Sequence, residues 1–423
     1  MARQMKESGV SWIGQVPDTW DVVRTKNCYT NNKQVVGEKA DDYERLALTL
    51  NGVIKRPKDD ATGLQPEAFN GYLILRENEL VFKLIDLANV ATSRVGYSPY
   101  EGIVSPAYII LHPKNYEESR FGEYYFLSMW QREIFNHMGD DGVRSSLNAS
   151  DLLNVPYLLV PSDEKKRIVK FLDEKCAEID LVISRTRTTI EEYKRFRLSI
   201  IANAVTKGIR SNRRMKESGI KWVKSIPAEW ESIAPKALFA LRKDKAQAGE
   251  KQLTASQQYG VIYQDEYMEL TGTRIVTVEK DFDILKHVEA GDFVISMRSF
   301  QGGLEYSEKS GSISSAYVML IPDLELVYPR FYKWLFKSSV YINALQSTSN
   351  LVRDGQAMRY SNFAQVRLYT VPLDEQKEIA DYLDKKCAEI DTLIEKKTAL
   401  LAEMESYKKS VIYEYVTGKK EVQ

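Results

Sequence analysis

The sequence predicts an α+β protein with a pseudo-twofold internal repeat. It contains two β-rich globular domains separated by two long helices, which are expected to form an antiparallel coiled coil. Three observations support this class. A unit of about 210 residues occurs twice, short β-branched and aromatic runs fill most of each unit, and a long heptad-like pattern closes it. Self-similarity at one fixed period fixes the architecture before any single element is assigned.

The repeat rests on three pairs of matching segments. MKESGVSWIGQVPDTW at 5–20 returns as MKESGIKWVKSIPAEW at 215–230, SPAYIIL at 105–111 as SSAYVML at 314–320, and VPSDEKKRIVKFLDEKCAEID at 160–180 as VPLDEQKEIADYLDKKCAEID at 371–391. Because the matches keep the same order, they predict duplication of a whole unit. We expect globular domains at 1–155 and 211–366, and helical regions at 156–210 and 367–423.

Between these matches the two halves diverge. Runs such as GYLILRENELVFKLI, GIVSPAYIILHP, GDFVISMRSF and AYVMLIPDLELVY are broken by Gly, Asn and Asp and are typical of short strands, whereas FGEYYFLSMWQREIF is typical of a helix. The pattern alone leaves two explanations open. The divergent parts are either two different binding surfaces or surfaces that drifted after duplication.

Each unit closes with a helix of about 44 residues. Asp163 and Asp374 follow Pro161 and Pro372 and are the predicted N-caps. Apolar or neutral residues then recur at alternating steps of three and four, which predicts a coiled-coil seam. The predicted seam consists of Ile179, Val182, Thr186, Thr189, Tyr193, Phe196 and Ile200, and of Ile390, Leu393, Lys397, Leu400, Met404, Tyr407 and Val411. An antiparallel pair is the simplest closed arrangement, and packing of each helix on its own globule is the alternative.

The repeated MKESG segment and the repeated VPSDEKKRIVKFLDEKCAEID segment resemble the conserved regions of type I restriction-modification specificity subunits. The resemblance covers essentially the whole chain. It implies two target-recognition domains, each reading one half of a bipartite site in double-stranded DNA, and helical regions that act as a spacer. It also implies two modification subunits that carry S-adenosylmethionine, and restriction subunits that use ATP and Mg²⁺. A duplicated coiled-coil scaffold without nucleic-acid binding is the alternative.

The motifs of the corresponding enzymes are missing from the sequence. A methyltransferase needs an Asn/Asp-Pro-Pro-aromatic loop and a glycine-rich cofactor turn, and an ATP-driven motor needs a GxxxxGK[ST] loop; none of these occurs. We therefore expect a non-catalytic chain with no cofactor and no metal of its own. The histidines His112, His137 and His287 stand alone, and a metal cluster of Asp281, Asp283, Glu289 and Asp292 is a weak alternative. Cys176 and Cys387 are interpreted as packing residues.

Composition limits the class of protein without naming a ligand. The 59 basic residues equal the 59 acidic ones, so any DNA-binding surface must be a local patch. The sequence has three cysteines, no run of apolar residues long enough to span a bilayer and no secretory pattern at its start, which predicts a cytoplasmic protein.

The predicted base-reading residues lie in loops beside strands, where Arg, Lys, Gln, Asn, Ser and Tyr occur with Gly. Arg pairs with guanine, and Gln or Asn with adenine, in the major groove. The first domain offers Lys55, Arg56, Ser93, Arg94, Tyr97, Arg144 and Asn148. The second offers Gln257, Gln258, Tyr259, Arg298, Ser299, Gln301, Arg353, Gln356 and Arg359. Taken singly, each of these residues is better explained by an ordinary solvated loop, whereas the set as a whole favours base reading.

Overall fold

The structure, a computed structural model, describes residues 3–31, 33–60, 66–85, 87, 93–138, 146–275, 277, 284–348 and 358–422. The chain divides into two compact units. Unit 1 comprises Met1–Arg187 and Ala399–Gln423, and unit 2 comprises Thr188–Thr398. Each unit therefore holds one globule together with a part of each long helix.

The globule of unit 1 is built from short strands and two helices. Its strands are β1 (Met5–Glu7), β2 (Gln15–Pro17), β3 (Asp21–Arg24), β4 (Tyr29–Asn31), β5 (Leu46–Thr49), β6 (Gly52–Lys55), β7 (Leu73–Leu75), β8 (Leu80–Phe82), β9 (Val95–Tyr97), β10 (Gly102–Val104), β11 (Ile109–Pro113) and β12 (Pro156–Leu159). Its helices are α1 (Tyr116–Gln131) and α2 (Ala149–Asn154), and the long helix α3 (Ser162–Lys207) follows. Short 3-10 turns cover Thr25–Asn27, Gly37–Asp42 and Ile134–His137.

The globule of unit 2 repeats this order with added helices. Its strands are β13 (Met215–Ile220), β14 (Val223–Pro227), β15 (Glu231–Ile233), β16 (Phe239–Leu241), β17 (Leu253–Ser256), β18 (Gly260–Tyr263), β19 (Lys286–Val288), β20 (Phe293–Ile295), β21 (Glu305–Tyr306), β22 (Gly311–Ile313), β23 (Val318–Pro322) and β24 (Leu368–Thr370). Its helices are α4 (Gln264–Thr271), α5 (Ser299–Gly302), α6 (Pro329–Lys337), α7 (Ser339–Gln346) and α8 (Tyr360–Gln365), followed by the long helix α9 (Leu373–Val416). A 3-10 turn covers Pro235–Ala237.

Both units have the same sheet topology, which confirms the repeat. The four-stranded antiparallel sheet β4-β11-β8-β9 of unit 1 corresponds to β16-β23-β20-β21 of unit 2. The two-stranded pairs also correspond: β1-β2 with β13-β14, β3-β12 with β15-β24, β5-β6 with β17-β18, and β7-β10 with β19-β22. The α+β class is therefore confirmed in each unit.

A buried tryptophan at the end of the first repeated segment anchors each globule to a long helix. Trp20 and Trp230 are both fully buried in the main hydrophobic core of their unit. Each indole donates a hydrogen bond to a glutamate in the first turn of the long helix, over 2.8 Å in unit 1 and 3.1 Å in unit 2. The anchor consists of Arg3, Trp20 and Glu164 in unit 1, and of Arg213, Trp230 and Glu375 in unit 2. In both anchors the arginine forms an ion pair with the glutamate. The first repeated segment thus serves the same packing purpose twice.

A second anchor, which the sequence did not predict, also joins each globule to a long helix. An arginine and an aromatic residue of a globule helix both bind one aspartate of the long helix. The residues are Arg120, Tyr124 and Asp173 in unit 1, and Arg330, Trp334 and Asp384 in unit 2. The Tyr124 hydroxyl donates to Asp173 over 2.7 Å, and the Trp334 indole donates to Asp384 over 2.8 Å. RFGEYYF at 120–126 therefore corresponds to RFYKWLF at 330–336.

The two long helices are antiparallel in each unit, as predicted. In unit 1, Asp180 binds Lys408 and Arg187 binds Glu405, over 2.6 and 2.7 Å. In unit 2, Arg197 binds Asp391 and Arg210 binds Glu378, over 2.9 Å in both pairs. Residue numbers on α9 fall as those on α3 rise, which only an antiparallel pair allows. The C-terminal turns of α9 also enter the core of unit 1, where Val411, Ile412 and Val416 are buried.

Four of the fourteen predicted seam residues are exposed, and the other ten are buried or partly buried. Ile179, Ile390 and Val411 are buried, while Tyr193, Ile200, Leu400 and Met404 are partly buried. However, Val182 and Phe196 are 43% and 56% exposed, and Leu393 and Tyr407 are 42% and 46% exposed. The buried residues on α3 include Ile183 and Ile190, which directly follow the predicted positions Val182 and Thr189. Val182 and Ile183 are adjacent in sequence and both apolar, so the alternating spacing of three and four residues fits either of them.

The predicted N-caps are also wrong. The long helices begin at Ser162 and Leu373, so Asp163 and Asp374 lie inside the first turn rather than before it. Carboxylates in the first turn still interact favourably with the helix macrodipole.

Cys176 and Cys387 are buried, in agreement with their interpretation as packing residues, and burial raises the pKa of the Cys176 thiol to about 11. Among the described residues, no helix is both long enough and apolar enough to cross a membrane.

Neighbouring positions on α3 test the corrected seam. We expect Ile183→Ala to lower the free energy of unfolding by about 2–5 kcal/mol, because it removes a buried side chain. Val182→Ala should change it by no more than about 0.5 kcal/mol, because Val182 is exposed. Denaturant unfolding followed by the helical circular dichroism signal measures both variants. The opposite order would restore the seam expected from the sequence.

Candidate nucleic-acid interface

In unit 1 the tip of the β5-β6 hairpin faces a groove beside the long helices. The turn consists of Leu50 and Asn51, both exposed, with Leu50 61% accessible. The Thr49 hydroxyl accepts a hydrogen bond from the Asn51 amide over 3.1 Å, which holds the turn. The groove measures about 500 Å³. Its charged lining residues are Glu133, Asp180, Arg187, Glu405, Lys408 and Lys409.

Unit 2 has a corresponding groove under the tip of the β17-β18 hairpin. It measures about 590 Å³, and Gln257 of the hairpin turn is one of its lining residues. Its charged lining residues are Arg197, Glu308, Arg330, Lys333, Lys337 and Asp384. Four cations and two carboxylates therefore line this groove, whereas the described lining of the unit 1 groove is balanced. Two further carboxylates, Glu305 and Asp391, pair with Lys337 and Arg197 from outside the lining. An excess of Lys and Arg along a groove is the electrostatic requirement for binding phosphates.

The cations of the unit 2 groove are positioned by carboxylates. Lys333 binds Glu308 over 3.1 Å, and Arg330 binds Asp384. The hydrogen bond that Arg330 donates to Asp384 raises the pKa of the Arg330 guanidinium. Lys337 pairs with Glu305. Burial raises the pKa of the Glu305 carboxyl above its usual value, and the positive charge of Lys337 opposes that rise. The groove therefore keeps its positive charges in fixed places at neutral pH.

Several predicted readers of unit 1 are already engaged within the protein. Lys55 is exposed but binds Glu44 over 2.7 Å, and this hydrogen bond raises the pKa of the Lys55 ammonium. Arg56 binds Asp60 over 2.8 Å. Asn148 is the N-cap of α2, where its side chain accepts from the Asp151 amide over 3.0 Å. These contacts do not bring the three residues to the groove of unit 1.

Burial separates the other predicted readers of unit 1 from any base. Ser93 lines the groove, but it is 4% exposed and its hydroxyl donates to the Val95 carbonyl over 2.6 Å. Arg94 is fully buried, so its guanidinium does not face solvent. Tyr97 is partly buried, and its ring packs 4.9 Å from the Arg120 guanidinium. Arg144 lies outside the described residues.

The predicted readers of unit 2 come together more closely. Gln257, Gln258 and Tyr259 form the exposed hairpin tip, and Arg298 and Gln301 are exposed on the turn around α5. The Gln257 amide donates to the Arg298 carbonyl over 3.3 Å, which joins two segments 41 residues apart in sequence. Ser299 differs from the prediction, because it is only 1% exposed. Arg359 is exposed just before α8, while Arg353 and Gln356 lie outside the described residues.

The described residues hold no group of three or more His, Cys, Asp or Glu side chains arranged for a metal ion. Of the weak cluster considered from the sequence, Asp292 binds Arg242 and Glu289 binds His287, while Asp281 and Asp283 lie outside the described residues. Burial disfavours the charged form of His287, but the hydrogen bonds of the imidazole to the Glu289 and Glu250 carboxylates outweigh this effect and raise the pKa of the imidazole. These groups are engaged in structural pairs.

The groove cations of unit 2 were missed by sequence reasoning. Lys333 and Lys337 lie on α6 within RFYKWLFK, where Phe331, Leu335 and Phe336 form the buried face. In the sequence such lysines are indistinguishable from the solvated face of any amphipathic helix. Only the position of α6 beside the hairpin tip gives them a shared surface with Gln257.

No family model matches this chain. Two type I restriction enzyme specificity subunits are similar to it over nearly its whole length. The putative type I restriction enzyme MjaX specificity subunit of Methanocaldococcus jannaschii is 23% identical, over 96% of this chain and 95% of that protein. The type I restriction enzyme MjaVIII specificity subunit of the same organism is also 23% identical, over 96% and 94%.

Solved structures show the same fold. A chain from a study of complex assembly and conformational transition of a type I R-M system has a TM-score of 0.68 at 13% identity, over 96% of this chain and 99% of that one. The HsdS subunit from Thermoanaerobacter tengcongensis has a TM-score of 0.52 at 13% identity, over 98% and 100%. These matches confirm the predicted resemblance and the predicted fold.

Proposed function

Because the chain is similar to type I restriction enzyme specificity subunits from end to end, we propose that it is a DNA-sequence specificity subunit of a type I restriction-modification enzyme. Unit 1 reads one half of a bipartite target, unit 2 reads the other half, and the long helices set the spacing between them. The chain itself is non-catalytic. It selects the DNA on which its partners act.

The observation that carries this proposal is one scaffold with two different hairpin tips. The β5-β6 and β17-β18 hairpins occupy the same place in equivalent topologies, and each tip faces a groove beside the long helices of its own unit. Leu50 and Asn51 stand at one tip, and Gln257, Gln258 and Tyr259 at the other. Base contacts specify sequence whereas the scaffold fixes orientation, so this pattern suits the reading of two different half-sites.

The partners in this proposal are two modification subunits, one for each unit, and restriction subunits in the restricting complex. Support comes from two equivalent apolar pairs exposed beside the seam. Val182 and Tyr407 form the pair in unit 1, and Phe196 and Leu393 form the pair in unit 2. Each of these four residues lies within two positions of a residue in an interhelical ion pair, which is Asp180 with Lys408 in unit 1 and Arg197 with Asp391 in unit 2. Exposed apolar residues grouped in this way suit protein contacts.

The chemistry of the complex belongs to the partners in this proposal. The modification subunits bring S-adenosylmethionine, and the restriction subunits bring ATP and Mg²⁺. The residues of this chain bind DNA, orient it and hold the partners. The engaged carboxylates and histidines described above fit a structural purpose for those groups.

A reconstitution tests the proposed function. The chain is purified alone and together with a modification subunit from the same organism, and each preparation is incubated with S-adenosylmethionine and a DNA library of random sequence. We expect methyl transfer only with both proteins present, at sites made of two short sequences with a fixed gap. Methylation without sequence preference, or binding of the chain to the modification subunit without any DNA recognition, would support the scaffold alternative instead.

A further inference from the structure

We infer that unit 2 reads a guanine with Arg298 and a nearby adenine with Gln301, so that its half-site contains both bases. The inference rests on the proposed function and deepens it, because it assigns a chemistry to one half of the target. It concerns a surface that we call the reading platform, formed by Met297, Arg298 and Gln301 with the hairpin tip 257–259.

The backbone of the reading platform is held from below. The Ser296 amide donates to the Ser299 hydroxyl over 2.9 Å, and both serines are buried. Phe300 is buried, and its carbonyl accepts from the Gln346 side chain over 2.7 Å. Gly303 has a φ of +78°, and a Cβ there would collide with the Phe336 carbonyl. The turn around α5 therefore has little freedom to move when DNA approaches.

The side chains above this backbone are exposed. Met297 is 53% accessible, and Arg298 and Gln301 are exposed as well. Within the described part of the chain, the Arg298 guanidinium makes no ion pair or hydrogen bond. In the same unit, the guanidinium groups of Arg242 and Arg367 are bound to Asp292 and to Ser232. Arg298 is thus a cation whose five donors remain available on a rigid turn.

The hairpin tip completes the reading platform and connects it to the groove. Gln257 donates to the Arg298 carbonyl, and a Cβ at Gly302 would lie 2.6 Å from the Gln257 Cγ, so the two loops are in close contact. Tyr259 is 37% exposed on the same turn. Because Gln257 also lines the groove that holds Lys333 and Lys337, phosphates bound at that groove lie next to the reading platform.

The chemistry of the two side chains selects the bases. Arg donates two parallel hydrogen bonds to O6 and N7 of guanine, and Gln pairs with N6 and N7 of adenine. Arg298 and Gln301 begin and end one turn, which is closed by the hydrogen bond from the Gln301 amide to the Arg298 carbonyl over 2.8 Å, so their side chains start close together. Base pairs are stacked about 3.4 Å apart, so the two side chains reach bases within two positions of each other.

The test uses the chain bound to its modification subunit, with S-adenosylmethionine and a library in which both half-sites are randomised. We expect the wild-type target to include a guanine and an adenine in one half. Arg298→Ala should reduce discrimination at that guanine by about 5- to 150-fold, and Arg298→Lys should retain part of it. Gln301→Ala should relax the adenine position of the same half-site, and the other half should keep its sequence.

Arg214→Ala is the matched control, because Arg214 is an exposed arginine of unit 2 outside the reading platform. It should leave every position unchanged. Uniformly weaker methylation of all sequences by Arg298→Ala would identify a phosphate contact and overturn the inference, and so would unchanged discrimination, or effects of Arg298→Ala and Gln301→Ala in different half-sites. A wild-type complex that methylates without sequence preference would overturn the proposed function itself.

Discussion

Replacing Trp230 with alanine should destabilise unit 2 by about 3–5 kcal/mol, since it removes a fully buried indole from the main core. The Trp230 ring stacks on Tyr369 with centroids 5.0 Å apart, and its nitrogen binds Glu375. The substitution therefore creates a cavity and also takes a partner from a carboxylate that is almost completely buried. A loss of this size is a large fraction of the stability of a typical domain.

Native-state amide exchange resolves the loss by unit, which a single melting temperature does not. Trp230→Ala should reduce protection in β16, β20 and β23, and the matched variant Trp20→Ala should reduce it in β4, β8 and β11. Trp230→Phe should have a smaller effect. Equal losses of protection in both units from either variant would show that the units do not have separate cores.

Charges placed on one apolar pair should remove one modification subunit from the complex. Val182→Asp with Tyr407→Asp puts two carboxylates on the pair in unit 1, and burying an unpaired charge in an interface costs about 2 kcal/mol or more. We expect native mass spectrometry to show one modification subunit per chain in place of two. Phe196→Asp with Leu393→Asp should give the same stoichiometry through unit 2, and all four substitutions together should give none.

The helices should remain folded in these variants, because the substituted side chains are exposed, and circular dichroism checks this. Ala177→Asp is the control for an added charge on α3, since Ala177 is exposed and lies about 140° around the helix from Val182 and about 100° from Phe196. It should leave two subunits bound. Retention of both subunits by the fourfold variant would place the docking surface elsewhere.

Sequence reasoning was strongest where a signal is repeated in register. The duplication, the α+β class and the antiparallel helices follow from segments and spacings that occur twice. The seam was harder to assign, because neighbouring apolar residues such as Val182 and Ile183 satisfy the same spacing, and burial chooses between them. The second anchor was missed because α1 of unit 1 corresponds to two shorter helices, α6 and α7, in unit 2, so the surrounding residues no longer align.

The candidate readers show what sequence does not determine. Arg94 and Ser299 have suitable chemistry and lie in suitable loops, yet both are buried. Arg298 and Gln257 have the same kind of signal, but they are exposed and adjacent across 41 residues of sequence. Local pattern predicts which residue types can read bases, whereas nonlocal packing decides which of them reach a surface.

The division of the chain has a consequence for the order of events during synthesis. Unit 2 is one continuous stretch, Thr188–Thr398, whereas unit 1 needs Ala399–Gln423 to complete the core around Trp20. A ribosome releases the chain from its N-terminus onward, so the first globule emerges early but waits for Val411, Ile412 and Val416. All residues of unit 2 are therefore synthesised before unit 1 is complete, although unit 1 begins the chain. Truncation of the last turns of α9 would leave the apolar core of the earlier globule open to water.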